Sequence, residues 1–321
     1  MTYSIVALDP ATGDLGVATQ SKFLAVGAVV PWARAGVGAV ATQAFANVGW
    51  GLTALDRLGD RGRTASAEAV LAELVAADDM RSERQIGIVD ANGDSASHTG
   101  PDCFAWAGGR TGPGYAAQGN ILAGPGVVDG LADTFAAGGP SFPELLVACL
   151  AAADAAGGDR RGRESAALYV AREGAGYMGG NDRWIDLRVE DHTDPIGELG
   201  RLLELQRLYF DRPAPEALVR LDETLARELR ALLGRVDAGP GSPFSTLYQP
   251  MSALSADAAE AEREARATTG TPAPLPSSWD GEWQQALEDW MAVENLEERT
   301  AAPGWVDRRV LDYLRDKATQ A

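Results

Sequence analysis

Lysine is almost absent from this chain of 321 residues: Lys22 and Lys317 stand among 28 basic residues, and the rest are arginine. Histidine and cysteine are equally scarce, at 2 each. Two cysteines, Cys103 and Cys149, cannot build a disulfide framework, and no Cys/His spacing has the form of a zinc site. Positive charge is also short, with 28 Lys+Arg against 46 Asp+Glu and a formal net charge of −18. That balance argues against nucleic acid as a partner, since phosphate-backbone binding runs on Lys/Arg clusters. No run reaches the ~18 apolar residues of a membrane helix. The start, Met1-Thr2-Tyr3-Ser4-Ile5-Val6, has no basic n-region and no long apolar h-region. No membrane or secretory segment is therefore expected, and the setting reads as cytoplasmic. The Gly-rich stretch 108–126 lacks both G-x-x-x-x-G-K-[ST] and a strand–G-x-G-x-x-G–helix arrangement, which removes a phosphate loop. Without a G-x-S-x-G elbow, an α/β-hydrolase is disfavoured too.

What is present is ordinary globular content, 45% hydrophobic and 7% aromatic. The length suggests two domains, or one large domain with an appendage. Strand-like runs at Tyr3–Leu8 and Leu15–Thr19 flank the turn cluster Asp9–Asp14 and read as a hairpin. Ala28–Trp32 and Val37–Thr42 make a second pair. Helical patterns follow at Val48–Leu58 and from near Thr64. Gln85–Asp90 and Asp94–Thr99 flank Asn92-Gly93, a strong hairpin signal. After the Gly-rich stretch come helices at 126–137 and 141–156, then strands at Ser165–Ala171 and Trp184–Val189. Segregated runs joined by tight hairpins predict an antiparallel α+β domain and not a βαβ repeat.

Asp194-Pro195 opens a long amphipathic helix, and another is expected over about Pro215–Leu233. Residues 238–278 read as a Pro/Gly- and Ala/Glu-rich linker. Residues 279–318 read as a small all-helical unit, with Trp283, Leu287 and Trp290 on one face and Val306, Val310, Leu311 and Leu314 on another. The resulting division is 1–212 for the main domain, 213–237 for a helical extension, 238–278 for the linker and 279–321 for the small helical domain. So small a unit with an apolar face calls for partners, and a homo-oligomer is expected.

Chemistry points first to Thr2. Removal of Met1 would give a threonine carrying both a hydroxyl and its own α-amine, whose pKa of about 7.7–8.0 suits a general base. The bland alternative is a second residue with no role. Lys22 follows the second strand directly, and in a hairpin that end lies beside Thr2. A chain that otherwise uses arginine keeps lysine here either for a compact, titratable ammonium or simply as a solvated turn residue.

Several segments then resemble one family: Thr2–Ala7, Ser21–Gly27, Gly38–Gln43, His98-Thr99-Gly100, Gln118–Gly124 and Asp186–His192. Over about residues 2–210 the chain resembles a widespread prokaryotic family of Ntn-hydrolase-like proteins whose activity is largely unassigned. The resemblance implies a four-layer αββα Ntn-hydrolase-type sandwich, shared with proteasome subunits and self-activating amidohydrolases, and it supplies no substrate. Trp283 to Trp290, Glu294–Arg299 and Val310–Arg315 resemble a peptidoglycan-binding-like helical domain. Its name implies wall binding, which fits poorly with a chain lacking a visible leader. An accessory or oligomer-contact role is the first expectation for it, and binding of glycan or peptide fragments the second.

By the general Ntn plan the nucleophile needs a nearby cation and donors for the oxyanion. Lys22 is the candidate cation. Asn120 and Gln118 are candidate donors, since Gly119 between them lets backbone approach closely; the alternative is a turn Asn that caps backbone. Thr42, Gln43 and Asn47 either line the cleft or cap the following helix, Ser21 adjoins Lys22, and His98 is either at the rim or an ordinary surface residue. Cys103 is a remote second choice of nucleophile, and Cys149 reads as a small buried hydrophobe. The irregular cluster Asp182, Asp186, Glu190, Asp191 and His192 reads as ion pairs with Arg183 and Arg188, and Asp159–Glu164 as a charged turn, so neither a metal nor another cofactor is expected. The expected function is an N-terminal-nucleophile amidohydrolase acting on a small amide or peptide-like substrate. The rival is a non-catalytic binding or assembly protein on the same scaffold.

Overall fold

The turn at Asp9–Asp14 shows how the chain begins to fold. The Asp9 carboxylate accepts from the Ala11 N–H and the Thr12 hydroxyl, and Gly13 takes a left-handed φ of 79°. These side-chain bonds reverse the chain locally and set strands β1 (Thr2–Leu8) and β2 (Leu15–Ser21) in register from Leu8 opposite Leu15 to Thr2 opposite Ser21. The computed structural model describes residues 2–60, 65–243 and 270–321. Met1, the proposed helix start at Thr64 and residues 244–269 of the expected linker lie outside the described residues.

The protein is a mixed α/β structure with antiparallel sheets. β3 (Pro31–Arg34), β4 (Gly38–Ala44), β5 (Arg84–Asp90) and β6 (Ser95–Thr99) form a four-stranded sheet in that order. Helices α1 (Gly49–Leu58) and α2 (Ala67–Ala76), between β4 and β5, pack on it through Trp50, Leu55, Val70 and Leu74 against Val40, Ile86 and Ile88. Ser66 caps α2 by accepting from the Ala69 N–H at 3.3 Å. β7 (Gly108–Gly112), β8 (Tyr115–Asn120), β9 (Ser165–Ala171) and β10 (Arg183–Val189) join β1 and β2 in a six-stranded sheet ordered β10-β9-β2-β1-β8-β7. α3 (Gly126–Ala137) and α4 (Phe142–Ala155) cover one face of it, with Leu131, Leu146 and Leu150 against Tyr3, Ile5 and Leu168. A third cluster, including Val6, Leu15, Val17, Ala39 and Val89, joins residues of the two sheets.

Two departures from the sequence reading stand out. The Gly-rich stretch contains β7 and β8, and β8 pairs directly with β1. Residues 215–233 are not one helix: a 3-10 turn at Pro215–Ala217 leads into the short strand β11 (Leu218–Arg220), and α5 (Pro195–Phe210) is followed by α6 (Glu223–Arg235) only after that strand. Asp222 sets the start of α6 by accepting from the N–H groups of Thr224 and Leu225.

The described residues divide into two compact units, one ending at Leu203 and one beginning at Glu204. In the second, α7 (Gly281–Val293) and α8 (Arg308–Gln320) share one core with α6, built on Leu229, Leu233, Trp279, Trp290 and Leu314. That unit is not purely helical, because β12 (Trp305–Asp307) pairs with β11. The buried Arg299–Asp307 pair, with Arg299 also donating to the Arg207 and Leu208 carbonyls, ties it together. Among the described residues no helix is long and apolar enough to cross a membrane.

Candidate active site

Strand alternation decides which side chains meet between the two sheets. Along β1 the residues on that side are Thr2, Ser4, Val6 and Leu8, all buried. Register places Ser21 and Thr19 beside the first two on β2, and Asn120 and Gln118 beside them on β8. On the other sheet, Gln43 faces Gln85 as a register pair. The Thr2 end of the interlayer is therefore polar, and it is joined by hydrogen bonds.

Two main-chain carbonyls fix the direction of that chain of bonds. The Gln85 amide nitrogen faces the carbonyls of Gly119 at 2.8 Å and Gly108 at 3.2 Å, and the Thr99 hydroxyl at 2.9 Å. A carbonyl only accepts, so this end of Gln85 must be the N–H₂. Its Oε1 then accepts from Gln43 Nε2 and from Asn120 Nδ2, both at 2.8 Å. Gln43 Nε2 also donates to the Thr2 carbonyl at 3.1 Å, and its Oε1 accepts from the Ser4 hydroxyl at 2.6 Å. Ser4 in turn accepts from Gln118 Nε2 at 2.7 Å. The Thr2 hydroxyl donates to Ser21 Oγ at 3.1 Å. Within this network, Gln118 Oε1 is left buried without a hydrogen-bond partner. A Cβ at Gly87 would lie 2.1 Å from that oxygen, so glycine is what admits the Gln118 side chain.

Thr2, Ser21, Gln43, Gln118 and Asn120 thus belong to one buried network. Three other candidates do not. Thr42 points to the opposite face of its sheet, where its hydroxyl donates to the Asn47 carbonyl at 3.1 Å. The Asn47 amide donates to Asp78 at 3.0 Å, beside a cavity of about 470 Å³ also lined by Trp50, Arg57, Asp78 and Arg84. His98, paired with Ile86, shares that face and meets the Arg81 carbonyl at 2.9 Å. Lys22 stands at the network's edge: its ammonium is 3.3 Å from Glu164, whose own N–H donates to the Ser21 carbonyl, and the Lys22 N–H donates to Asp159 at 3.1 Å.

Sequence reading missed Gln85, the hub of the network, and Ser4, its relay. The signal was there in Gln85-Ile86-Gly87-Ile88-Val89, where alternation puts Gln85 on the same side as Gly87 and Val89.

The electrostatics separate these groups. The Asn47 amide, followed by backbone and Arg84 contacts, holds the Asp78 carboxyl below its ordinary range. Burial raises the Cys103 thiol, which donates to the Arg84 carbonyl, and pushes Cys149 up to about 12. Neither is activated as a thiolate. Burial, then the Asp154 carboxylate, raises the Tyr3 phenol. The acidic cluster near His192 is spent locally: Asp186 pairs with Arg183 and Arg188, Asp182 accepts from the Gly174 N–H, and His192 Nδ1 accepts from the Asp194 N–H.

A family model described as a family of unknown function, DUF1028, matches residues 2–199. A second model, named for peptidoglycan binding, matches residues 272–314. Among solved structures, a DUF1028 protein from Silicibacter pomeroyi is 30% identical, with a TM-score of 0.58 over 64% of this chain and 89% of that one. No curated protein matches.

Proposed function

Because this chain belongs to DUF1028, a family of unknown function, membership brings no activity with it, and we propose one from the site: an N-terminal-nucleophile amidohydrolase for a small amide or peptide-like substrate. In this reading the helix-covered sheets joined by the interlayer cluster are an αββα stack of the Ntn kind. The observation that carries it is the placement of Thr2. It opens β1 between Ser21 and Asn120, with its hydroxyl on Ser21 and its carbonyl held by Gln43. A nucleophile so clamped on both sides is pre-oriented on a rigid element.

The chemistry requires loss of Met1. Thr2 Oγ then attacks the amide carbonyl carbon while its proton passes to the freed α-amine. Asn120, fixed by Gln85, offers its remaining N–H to the oxyanion, and such a donor is worth about 2.7–4 kcal/mol. Collapse of the tetrahedral intermediate breaks the C–N bond, the departing amine takes the proton, and an acyl ester remains on Thr2. Water, deprotonated by the same α-amine, releases the carboxylic acid and restores the hydroxyl. Lys22 acts from the adjoining strand end, where its positive charge lowers the proton affinity of the amine and Glu164 tempers that charge.

A non-catalytic binding or assembly role is favoured by one observation, the engagement of the Lys22 ammonium by Glu164. The test is intact mass together with an amide-library screen of the native protein, Thr2→Ala and Lys22→Ala. The amidohydrolase reading expects a protein lacking Met1 whose turnover disappears in Thr2→Ala. A chain that keeps Met1, or a Thr2→Ala variant as active as the native one, refutes it.

A further inference from the structure

Exposed apolar side chains stand on the loops that adjoin the proposed site's residues in the chain. Phe23, Phe45 and Phe104 are 51%, 59% and 67% exposed, and they are the only exposed phenylalanines among the described residues of the first unit. Each leaves the fold close to a residue tied to Thr2. Phe23 comes two residues after Ser21, whose hydroxyl accepts from Thr2. Phe45 comes two residues after Gln43, whose amide holds the Thr2 carbonyl. The Phe104 carbonyl accepts from the N–H of Ile121, the residue after Asn120. Leu24 and Val48 are exposed on the same loops.

The opposite end of the sheets is different. Its turns, such as Asp9–Asp14 and Ala91-Asn92-Gly93, carry no large apolar side chain, and the one large ring exposed there among the described residues is Tyr177, which carries a hydroxyl. Scattered surface hydrophobics are normal, but a cluster confined to one end and centred on one residue marks a recognition surface. In a chain with a net charge of −18, such a rim favours an uncharged apolar group.

Resting on the amidohydrolase reading, we infer that the substrate carries an aromatic or long aliphatic group next to the scissile amide, seated against Phe23, Phe45 and Phe104. The small polar amides that the interlayer could handle alone are poor substrates.

The test uses the full chain after its Met1-free mass is verified, with anilides sharing one leaving group and differing in the acyl part: acetyl, butyryl, hexanoyl and phenylacetyl. The expected kcat/KM rises by at least about tenfold from acetyl to phenylacetyl, the scale on which apolar pockets discriminate. Phe45→Ser and Phe104→Ser should bring that ratio close to one. In parallel, titration calorimetry on Thr2→Ala measures phenylacetamide against acetamide, with tighter binding of the former expected. Hydrolysis with a flat acyl series overturns this inference and leaves the site reading standing. Absence of hydrolysis with retained apolar preference in binding overturns the nucleophile and keeps the ligand class, whereas absence of both removes both. If sedimentation shows an oligomer that the two Phe→Ser variants split with the acyl ratio unchanged, the rim is a contact between copies and the inference is overturned.

Discussion

The layer between the two sheets has two halves built on different chemistry. Near Thr2 it is filled by Ser4, Gln43, Gln85, Gln118 and Asn120, and a few residues farther along the same strands it is filled by Val6, Leu8, Val17, Ala39, Ala116 and Val89. Every contributing strand makes the switch in register: Thr2-x-Ser4 to Val6-x-Leu8 on β1, Ser21 and Thr19 to Val17 and Leu15 on β2, Gln118 to Ala116 on β8. The apolar half gains free energy simply by leaving water. The polar half gains little net, since each buried amide must first recover the hydrogen bonds it gave up. Stability alone would extend the valines to both ends. What the polar half adds is direction, because the carbonyls of Gly108 and Gly119 orient Gln85, which orients Gln43 and Asn120, which flank Thr2.

That contrast predicts different outcomes for substitutions in the two halves. Leu15→Ala, in the apolar half, should cost about 2–5 kcal/mol of unfolding free energy. The folded fraction should keep its full activity on the best amide found, as read by denaturant melts and by turnover per folded molecule. A loss of turnover without unfolding would show that the two halves do not act separately.

Gln85→Leu, in the polar half, leaves the Asn120 amide without its acceptor, at about 1–3 kcal/mol for one orphaned buried group. Turnover should fall further than stability, because Asn120 and Gln43 both lose the oxygen that orients them. A Gln85→Leu protein that is more stable and equally active would mean that the network only fills space.

How much of this contrast was legible in the sequence depends on the range over which each feature is set. The turns at Asp9–Asp14 and Asn92-Gly93 are local and could be read directly. The switch from Thr2 and Ser4 to Val6 and Leu8 is just as local, yet Ser4 was passed over. β8 could not be read this way, because Tyr115-Ala-Ala-Gln-Gly-Asn120 has no β-branched residue. Its small side chains weaken the strand signal, and Gly119 lies with Tyr3 on the helix-covered side of the sheet, where a Cβ would lie 2.5 Å from Leu122. Thr42 and Gln43 read together in the sequence, as lining the cleft or capping the following helix, although adjacent strand residues face opposite ways, and the structure sends Gln43 to Thr2 and Thr42 to Asn47. The partner of Lys22, Glu164, lies on a distant part of the chain brought in by β9, a tertiary fact that no local pattern announces.

The polar half contains no ionisable side chain, so acid should act elsewhere, on the other face of the four-stranded sheet. There Asp78 is held below its ordinary range by Asn47 and Arg84. A carboxyl lowered in the folded state contributes stability that is present above the usual carboxylate range and is lost as pH falls through its folded value. Asp78→Asn should therefore be less stable than the native protein at neutral pH, with the gap closing on the acid side. Melts at stepped pH check this. A gap that stays constant into acid would remove Asp78 as a source of acid sensitivity.

The smallest expected change in stability tests Lys22. Its pair with Glu164 leaves the two side chains 42% and 24% exposed, and such pairs contribute about 0–1 kcal/mol. Glu164→Gln should barely move the melting curve. If Lys22 is only a turn residue held in place, turnover should not move either. If its charge is felt at the α-amine of Thr2, releasing it from Glu164 lowers that amine's pKa and shifts the acidic limb of activity, where the general base becomes protonated, towards lower pH, while Lys22→Met shifts it the other way. Coincident pH profiles for the native protein and both variants would strip Lys22 of any part in the chemistry and leave Thr2 to depend on the neutral amides beneath it.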